Sequence, residues 1–191
     1  GKNPAIVFSD CDFDAALATT VRSSFANQGQ ICLCSSRILI EDSIYDRFRD
    51  ALIEKVKRMI PGDPLDEQTK MGAVVSAAHR DKILQHIEFA QSEGGHLLCG
   101  GGKASAPNNR CKDGFFVAPT VFENLGANCQ LNQQEVFGPV ITLQRFYGED
   151  EAIQLANATE YGLAATIWTT DLKKAHRTAA RVESGIAWVN C

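Results

Sequence analysis

Apolar residues recur along this chain in two alternating rhythms, short β-rich runs and longer stripes spaced by one helical turn. Ala5–Phe8 reads as a short buried strand, and Ser9-Asp10 follows as a turn. From Asp12 to about Asn27 the spacing predicts a helix, because Phe13, Leu17, Val21 and Phe25 recur at intervals of four. Asp10 and Asp12 lie where acids at a helix N-terminus belong. Arg37–Ile40 is the next strand. A second helix runs from Ser43 to Met59, with Ile44, Phe48, Leu52 and Val56 on one stripe. Its last turn gathers Lys55, Lys57 and Arg58, which suits the helix dipole, and Pro61-Gly62 stops it.

A third helix is expected over Ser76–Ser92, with Ile83, Leu84, Ile87 and Ala90 facing inward, followed by a strand at His96–Cys99. Residues 100–114, rich in Gly, Asn and Ser, read as a surface loop. Strands at Phe115–Val121, Val140–Phe146, Leu163–Thr169 and Gly185–Val189 then alternate with helices at Asp150–Ala158 and Leu172–Val182. Strands separated by helices of a few turns imply parallel pairing. The fold class expected is therefore α/β: a doubly wound, mostly parallel sheet with helices on both faces.

Composition narrows the function classes. The 191 residues fit one domain, and 45% apolar with 22% charged is ordinary for a globular protein. Net charge is −4, and the basic residues Lys173, Lys174, Arg177 and Arg181 sit at helical spacing, so they read as a solvated helix face. Nucleic acid is not expected as a partner. No apolar run reaches the roughly 20 residues that cross a bilayer, so a membrane is not expected either. Seven cysteines at irregular spacing suit free thiols in a reducing cytoplasm better than a disulfide framework. No second Cys or His pair stands at ligand spacing, so no metal is expected.

Two segments stand out as chemistry. Cys32 follows the first helix in Gln28-Gly29-Gln30-Ile31-Cys32, where Gly29 permits a tight turn that could aim a thiol from a loop. By spacing alone it is either a nucleophile or an inert small hydrophobe. Cys34, two positions on, could pair with it in a redox couple. In Glu135-Val136-Phe137-Gly138-Pro139, the Gly-Pro pair breaks regular structure before an apolar strand. An acid and an aromatic so placed could meet sugar hydroxyls and a heteroaromatic ring, or simply lead into the strand.

Phe25-Ala-Asn-Gln-Gly29-Gln30-Ile-Cys32, with Arg37 five positions on, resembles the cysteine signature of the aldehyde dehydrogenase family. Glu135-Val-Phe137-Gly-Pro resembles that family's cofactor-contacting loop. Gly1-Lys2-Asn3-Pro4 resembles the tail of its Glu-Leu-Gly-Gly-Lys-x-Pro motif, and Tyr161-Gly-Leu-Ala-Ala165 and Trp188-Val-Asn190 match later landmarks in order. The resemblance covers the whole chain.

It implies that Cys32 attacks an aldehyde to give a thiohemiacetal and then a thioester, with the Cys32 amide as half of an oxyanion hole. It implies that Glu135 binds the nicotinamide ribose and that Phe137 packs on the nicotinamide ring of NAD, NADP being the other option. Residues 1–191 would be the catalytic, cysteine-bearing domain, without the nucleotide-binding domain and the oligomerisation segment of a homodimeric or homotetrameric parent. The family's general base and oxyanion Asn precede Gly1, so the isolated chain is expected to be inactive and to bind NAD weakly. The run Gly29-Gln-Ile-Cys-Leu-Cys-Ser-Ser-Arg37 looks most like the branch that acts on 2-aminomuconic and 2-hydroxymuconic semialdehydes. A non-catalytic truncated domain, serving as a folding or interaction unit, is the reading from another class.

Overall fold

A computed structural model describes residues 1–191. Its seven strands are β1 (Asn3–Val7), β2 (Ser35–Glu41), β3 (His96–Cys99), β4 (Thr120–Glu123), β5 (Val140–Phe146), β6 (Ala164–Trp168) and β7 (Ile186–Val189). They form one sheet in the order β3-β4-β5-β2-β1-β6-β7. Every pairing is parallel except β3 with β4, so the expected doubly wound, mostly parallel sheet is observed. The antiparallel pair is a local departure. β3 and β4 are joined by a loop rather than a crossover helix, which lets the chain reverse.

The helices are α1 (Phe13–Phe25), α2 (Asp42–Lys57), α3 (Ala77–Ser92), α4 (Gln130–Gln133), α5 (Glu149–Ala156) and α6 (Leu172–Arg181). Successive side chains of a strand point to opposite faces, and both faces here are covered. Ala5, Val7, Ile38 and Ile40 meet Leu17, Val21, Phe25, Phe48 and Leu52 of α1 and α2. The alternate residues Ile6 and Leu39 meet Ala152 and Ala156 of α5 on the other side. A third cluster packs Ile83, Ile87 and Ala90 of α3 on Phe122 and Val140.

Several local expectations change. Asp12 caps α1 by accepting from the Ala15 N–H at 3.1 Å, but Asp10 faces away from that helix and binds Thr169 Oγ1 (2.8 Å) and Lys174 Nζ (3.1 Å). The strand expected over Phe115–Val121 shortens to Thr120–Glu123, because Pro119 has no N–H to give a ladder. The carbonyls of Phe115 and Phe116 accept instead from Val74 and Ala104. The basic face of α6 is solvated as expected, with Lys173, Arg177 and Arg181 exposed, and it also makes surface ion pairs: Arg177 with Glu149, Arg181 with Asp150 and Lys174 with Asp10. No helix is long and apolar enough to cross a membrane.

Candidate functional site

The chain leaves α1 through a turn, Ala26–Gly29, in which Asn27, Gln28 and Gly29 all have left-handed φ of 47°, 58° and 71°. Left-handed backbone costs a non-glycine residue roughly 1–2 kcal/mol, so side-chain bonds must hold this shape. Asn27 Nδ2 donates to the Gln30 carbonyl and Gln28 Nε2 to the Ala73 carbonyl, both at 3.1 Å, while Gln30 Oε1 accepts from Val75 N–H at 3.0 Å. A β-turn follows, closed by Cys34 N–H to the Ile31 carbonyl (3.1 Å), with Cys32 and Leu33 at its centre. Cys32 is exposed at this turn, whereas Cys34 is buried and β2 begins at Ser35.

Asn3, only 3% exposed, fixes the turn from below. Its Nδ2 donates to the carbonyls of Cys32 (2.7 Å) and Cys34 (3.1 Å), and its Oδ1 accepts from the Ala164 N–H (3.2 Å). One buried amide thus joins the start of β1, the cysteine turn and the start of β6. The sequence patterns single out Asn3 only as the variable position of Gly-Lys-x-Pro; the contacts that give it this task are made by residues far along the chain.

Glu135 and Phe137 stand on the loop between α4 and β5, at the same amino edge of the sheet as the cysteine turn. Phe137 has φ of +57° and an exposed ring, and its carbonyl meets His79 Nε2 at 2.7 Å. His79, on the first turn of α3, is a support that sequence spacing does not reveal. The loop is pressed against the cysteine turn. A Cβ added at Gly29 would lie 2.2 Å from the Gly138 carbonyl oxygen. Glu135 is half-buried and its carboxylate accepts from the Gly1 amino group. Gly1, Gly29, Ile31, Cys34, Glu135 and Phe137 border one narrow cleft, which brings Glu135 and Phe137 together beside the cysteine turn, while Cys32 itself is not on its wall.

Beneath the turn lie two buried cations. Arg37 donates to the carbonyls of Lys2 (2.8 Å), Leu155 (2.7 Å) and Ala156 (2.8 Å), tying β2 to β1 and to the end of α5. Burial draws its guanidinium down to about 10. Lys2 is 1% exposed. Its ammonium falls to about 7, chiefly through desolvation and secondly through the nearby Arg37 charge. Burial also pushes the Cys34 thiol above its ordinary value. All seven cysteines are free, and no three His, Cys, Asp or Glu side chains gather where a metal ion could be held.

On the far side of the turn a cavity of about 290 Å³ opens between α1 and the sheet. Ile31, Leu33 and Cys34, which flank Cys32, form one wall, and Trp168 and Trp188 are among the others. An open α/β sheet usually places its ligands beyond the carboxyl ends of its strands. Here the cysteine turn and the Glu135–Phe137 loop occupy the amino ends of β2 and β5.

A sequence model of the aldehyde dehydrogenase family matches residues 1–191. The chain is 44% identical over 190 residues to a 2-aminomuconic 6-semialdehyde dehydrogenase of Pseudomonas sp., covering all of this chain and 38% of that protein. It is 40% identical over 190 residues to the betaine aldehyde dehydrogenase of Bacillus subtilis, again covering the whole chain and 38% of the relative. Among solved structures, betaine aldehyde dehydrogenase of Staphylococcus aureus in complex with NAD+ superposes with a TM-score of 0.94 at 42% identity, over 100% of this chain and 37% of that one. The chain therefore spans well under half the length of the proteins it resembles. With sequence and fold matching from end to end, the chain belongs to the aldehyde dehydrogenase family.

Proposed function

We propose that residues 1–191 are the cysteine-bearing catalytic domain of an NAD(P)-dependent aldehyde dehydrogenase, with Cys32 as its nucleophile. The observation that carries this is the presentation of Cys32: an exposed thiol at the centre of a β-turn, its carbonyl gripped by Asn3. A thiolate there adds to the aldehyde carbon and gives a thiohemiacetal, whose oxyanion the Cys32 N–H helps to hold. Sulfur suits both halves of the reaction, since the thiolate is a strong nucleophile and later the leaving group when water cleaves the thioester to a carboxylate.

The residues beside the turn fit a nicotinamide dinucleotide. Glu135, half-buried, offers a carboxylate to ribose hydroxyls, and the exposed Phe137 ring offers a face for a heteroaromatic ring. When bound, such a cofactor supplies the acceptor for the hydride lost as the thiohemiacetal becomes a thioester. The Gly29–Gly138 contact then sets how far the Phe137 loop stands from the nucleophile. NAD is favoured over NADP by the NAD+ complex of the S. aureus relative.

The substrate reading is a muconic-type semialdehyde, supported by the cysteine-turn sequence and by the 2-aminomuconic semialdehyde dehydrogenases of several organisms at 42–44% identity. The 191 residues alone are proposed to be inactive, because no second carboxylate besides Glu135 borders the cleft beside the turn to serve as a base toward water. The parent would be a homodimer or homotetramer. A cytoplasmic setting fits the seven free thiols.

The test is made in the full-length protein that contains this chain. Cys32→Ser abolishes NADH formation from an aldehyde, and iodoacetamide labels Cys32 in step with loss of activity. Undiminished turnover in Cys32→Ser, or no turnover of any aldehyde by the unaltered enzyme, overturns the reading.

A further inference from the structure

We infer that Arg22 makes the cavity beside the cysteine turn a site for aldehydes that carry a carboxylate at the far end. This rests on the proposal that Cys32 is the nucleophile and names the determinant of substrate class at that same site. Three observations support it.

The first is position. Arg22 lies in the last turn of α1 and borders the cavity of about 290 Å³ whose wall includes Ile31 and Leu33, the neighbours of Cys32 on either side. That volume lies near the lower end for ligand pockets and suits a short-chain molecule. Cys32 itself is not on the wall, so a substrate with its aldehyde at Cys32 reaches this space past Ile31 and Leu33.

The second is the state of the charge. The other arginines are engaged: Arg37, Arg49, Arg58, Arg80, Arg110, Arg145, Arg177 and Arg181 bind carboxylates or carbonyls, and Arg47 lies over the Phe13 ring. Arg22 is exposed, and its guanidinium has no ion pair, hydrogen bond or aromatic partner within the protein. It is the only basic side chain on the cavity wall, no Asp or Glu side chain borders the cavity, and the one acid there is the terminal carboxylate of Cys191, which makes no ion pair with Arg22. A guanidinium with a free donor fork is matched geometrically by a carboxylate.

The third is a second polar group without a partner. Thr20, 2% exposed, borders the same cavity, and its Oγ1 makes no hydrogen bond. Its hydroxyl is shielded where it stands and meets a ligand oxygen only by rotating about χ1, where helical threonine has two wells. Ser23 and Ser35 add hydroxyls to the same wall, and Trp168 and Trp188 supply flat apolar surface for the hydrocarbon between the two ends. Those two indoles could also attract a quaternary ammonium through their faces. The Arg22 charge, which has no ion-pair partner, opposes that cation and favours the anion, which separates a semialdehyde from betaine aldehyde.

The experiment compares three aldehydes on the full-length enzyme that contains this chain: 6-oxohexanoate, its uncharged counterpart hexanal, and betaine aldehyde. The readout is the ratio of kcat/KM values, together with its split between KM and kcat. Arg22→Gln is expected to lower the 6-oxohexanoate-to-hexanal ratio by about tenfold or more, mostly through KM, as for loss of one charge-assisted contact. Arg22→Lys restores part of it, and Arg22→Glu shifts the preference toward betaine aldehyde. A ratio within about twofold of the unaltered enzyme in Arg22→Gln, while hexanal is still oxidised, overturns the inference and leaves Cys32 in place. Failure of the unaltered enzyme to oxidise any of the three overturns both.

Discussion

The side-chain amide of Asn3 donates to the Cys32 carbonyl at 2.7 Å, so the peptide that carries the candidate nucleophile is held by a residue 29 positions earlier. The same amide takes the Cys34 carbonyl and the Ala164 N–H. Asn3→Ala strands two carbonyls and one N–H in a buried place, each worth about 1–3 kcal/mol. Stability measured by urea unfolding is expected to fall by at least about 2 kcal/mol. Asn3→Asp should fall further, since a carboxylate cannot donate to either carbonyl and its charge is buried against them. Equal stability of Asn3→Ala and the unaltered protein would show that the turn holds itself.

What the sequence shows and what it hides divide along this same line. The strands and the helices α1, α2 and α3 are legible because their apolar residues repeat at the period of the element that buries them, as Leu17, Val21 and Phe25 do. Cys32 is legible through the resemblance of Phe25–Cys32 to the family's cysteine signature, because spacing alone leaves it either a nucleophile or an inert small hydrophobe. The tasks of Asn3, His79 and Lys2 arise from contacts with residues far away in the chain, and no local pattern encodes them. The short helix α4 is hidden for another reason, since four residues cannot display a helical period. Phe115–Val121 misleads because its apolar run is genuine, yet Pro119 keeps its first part off the ladder.

Gly29 is the point at which the two candidate loops touch. With φ at +71°, an added Cβ meets the Gly138 carbonyl oxygen at 2.2 Å and its carbon at 2.5 Å. Backbone against backbone leaves no side chain to swing aside. Gly29→Ala is expected to cost about 3 kcal/mol or more, from the left-handed conformation and the forced separation together. In the full-length enzyme the KM for the dinucleotide should rise as well, because Phe137 moves with Gly138. Urea unfolding and initial-rate kinetics check the two parts separately.

Lys2 gives the fold a pH dependence. Its ammonium titrates near 7 when folded, against an ordinary value of 10.5, chiefly because burial penalises the charge. Between those values the unfolded chain binds the proton and the folded chain does not, so this contribution to stability rises with pH across the window. Below about pH 7 both states carry the proton and the burial penalty is fully present. Lys2→Met is expected to stabilise the protein by about 1–4 kcal/mol at pH 6 and to flatten the slope between pH 7 and 10. The Arg37 bond to the Lys2 carbonyl is kept, because it uses backbone. Unfolding at a series of pH values tests this, and parallel profiles for the two proteins would refute it.

The two cysteines of the turn should react very differently, although only Leu33 separates them. Cys32 is exposed, while Cys34 is 8% exposed and its Sγ faces the Ala26 carbonyl at 3.8 Å. Burial raises the Cys34 thiol, so at neutral pH its reactive thiolate is scarcer as well as shielded. Iodoacetamide at pH 7.5 (about neutral) is expected to label Cys32 at least about tenfold faster than Cys34, as read by peptide mass mapping. Unfolding in urea removes both causes and should bring the two rates together, which separates the effect of the fold from that of the neighbouring sequence. Cys34→Ser should leave the labelling of Cys32 in place and should retain turnover in the full-length enzyme, because the nucleophile needs the Asn3 grip and not a thiol partner. Loss of turnover in that variant, with Cys32 still labelled, would instead mean that the two sulfurs work as a couple.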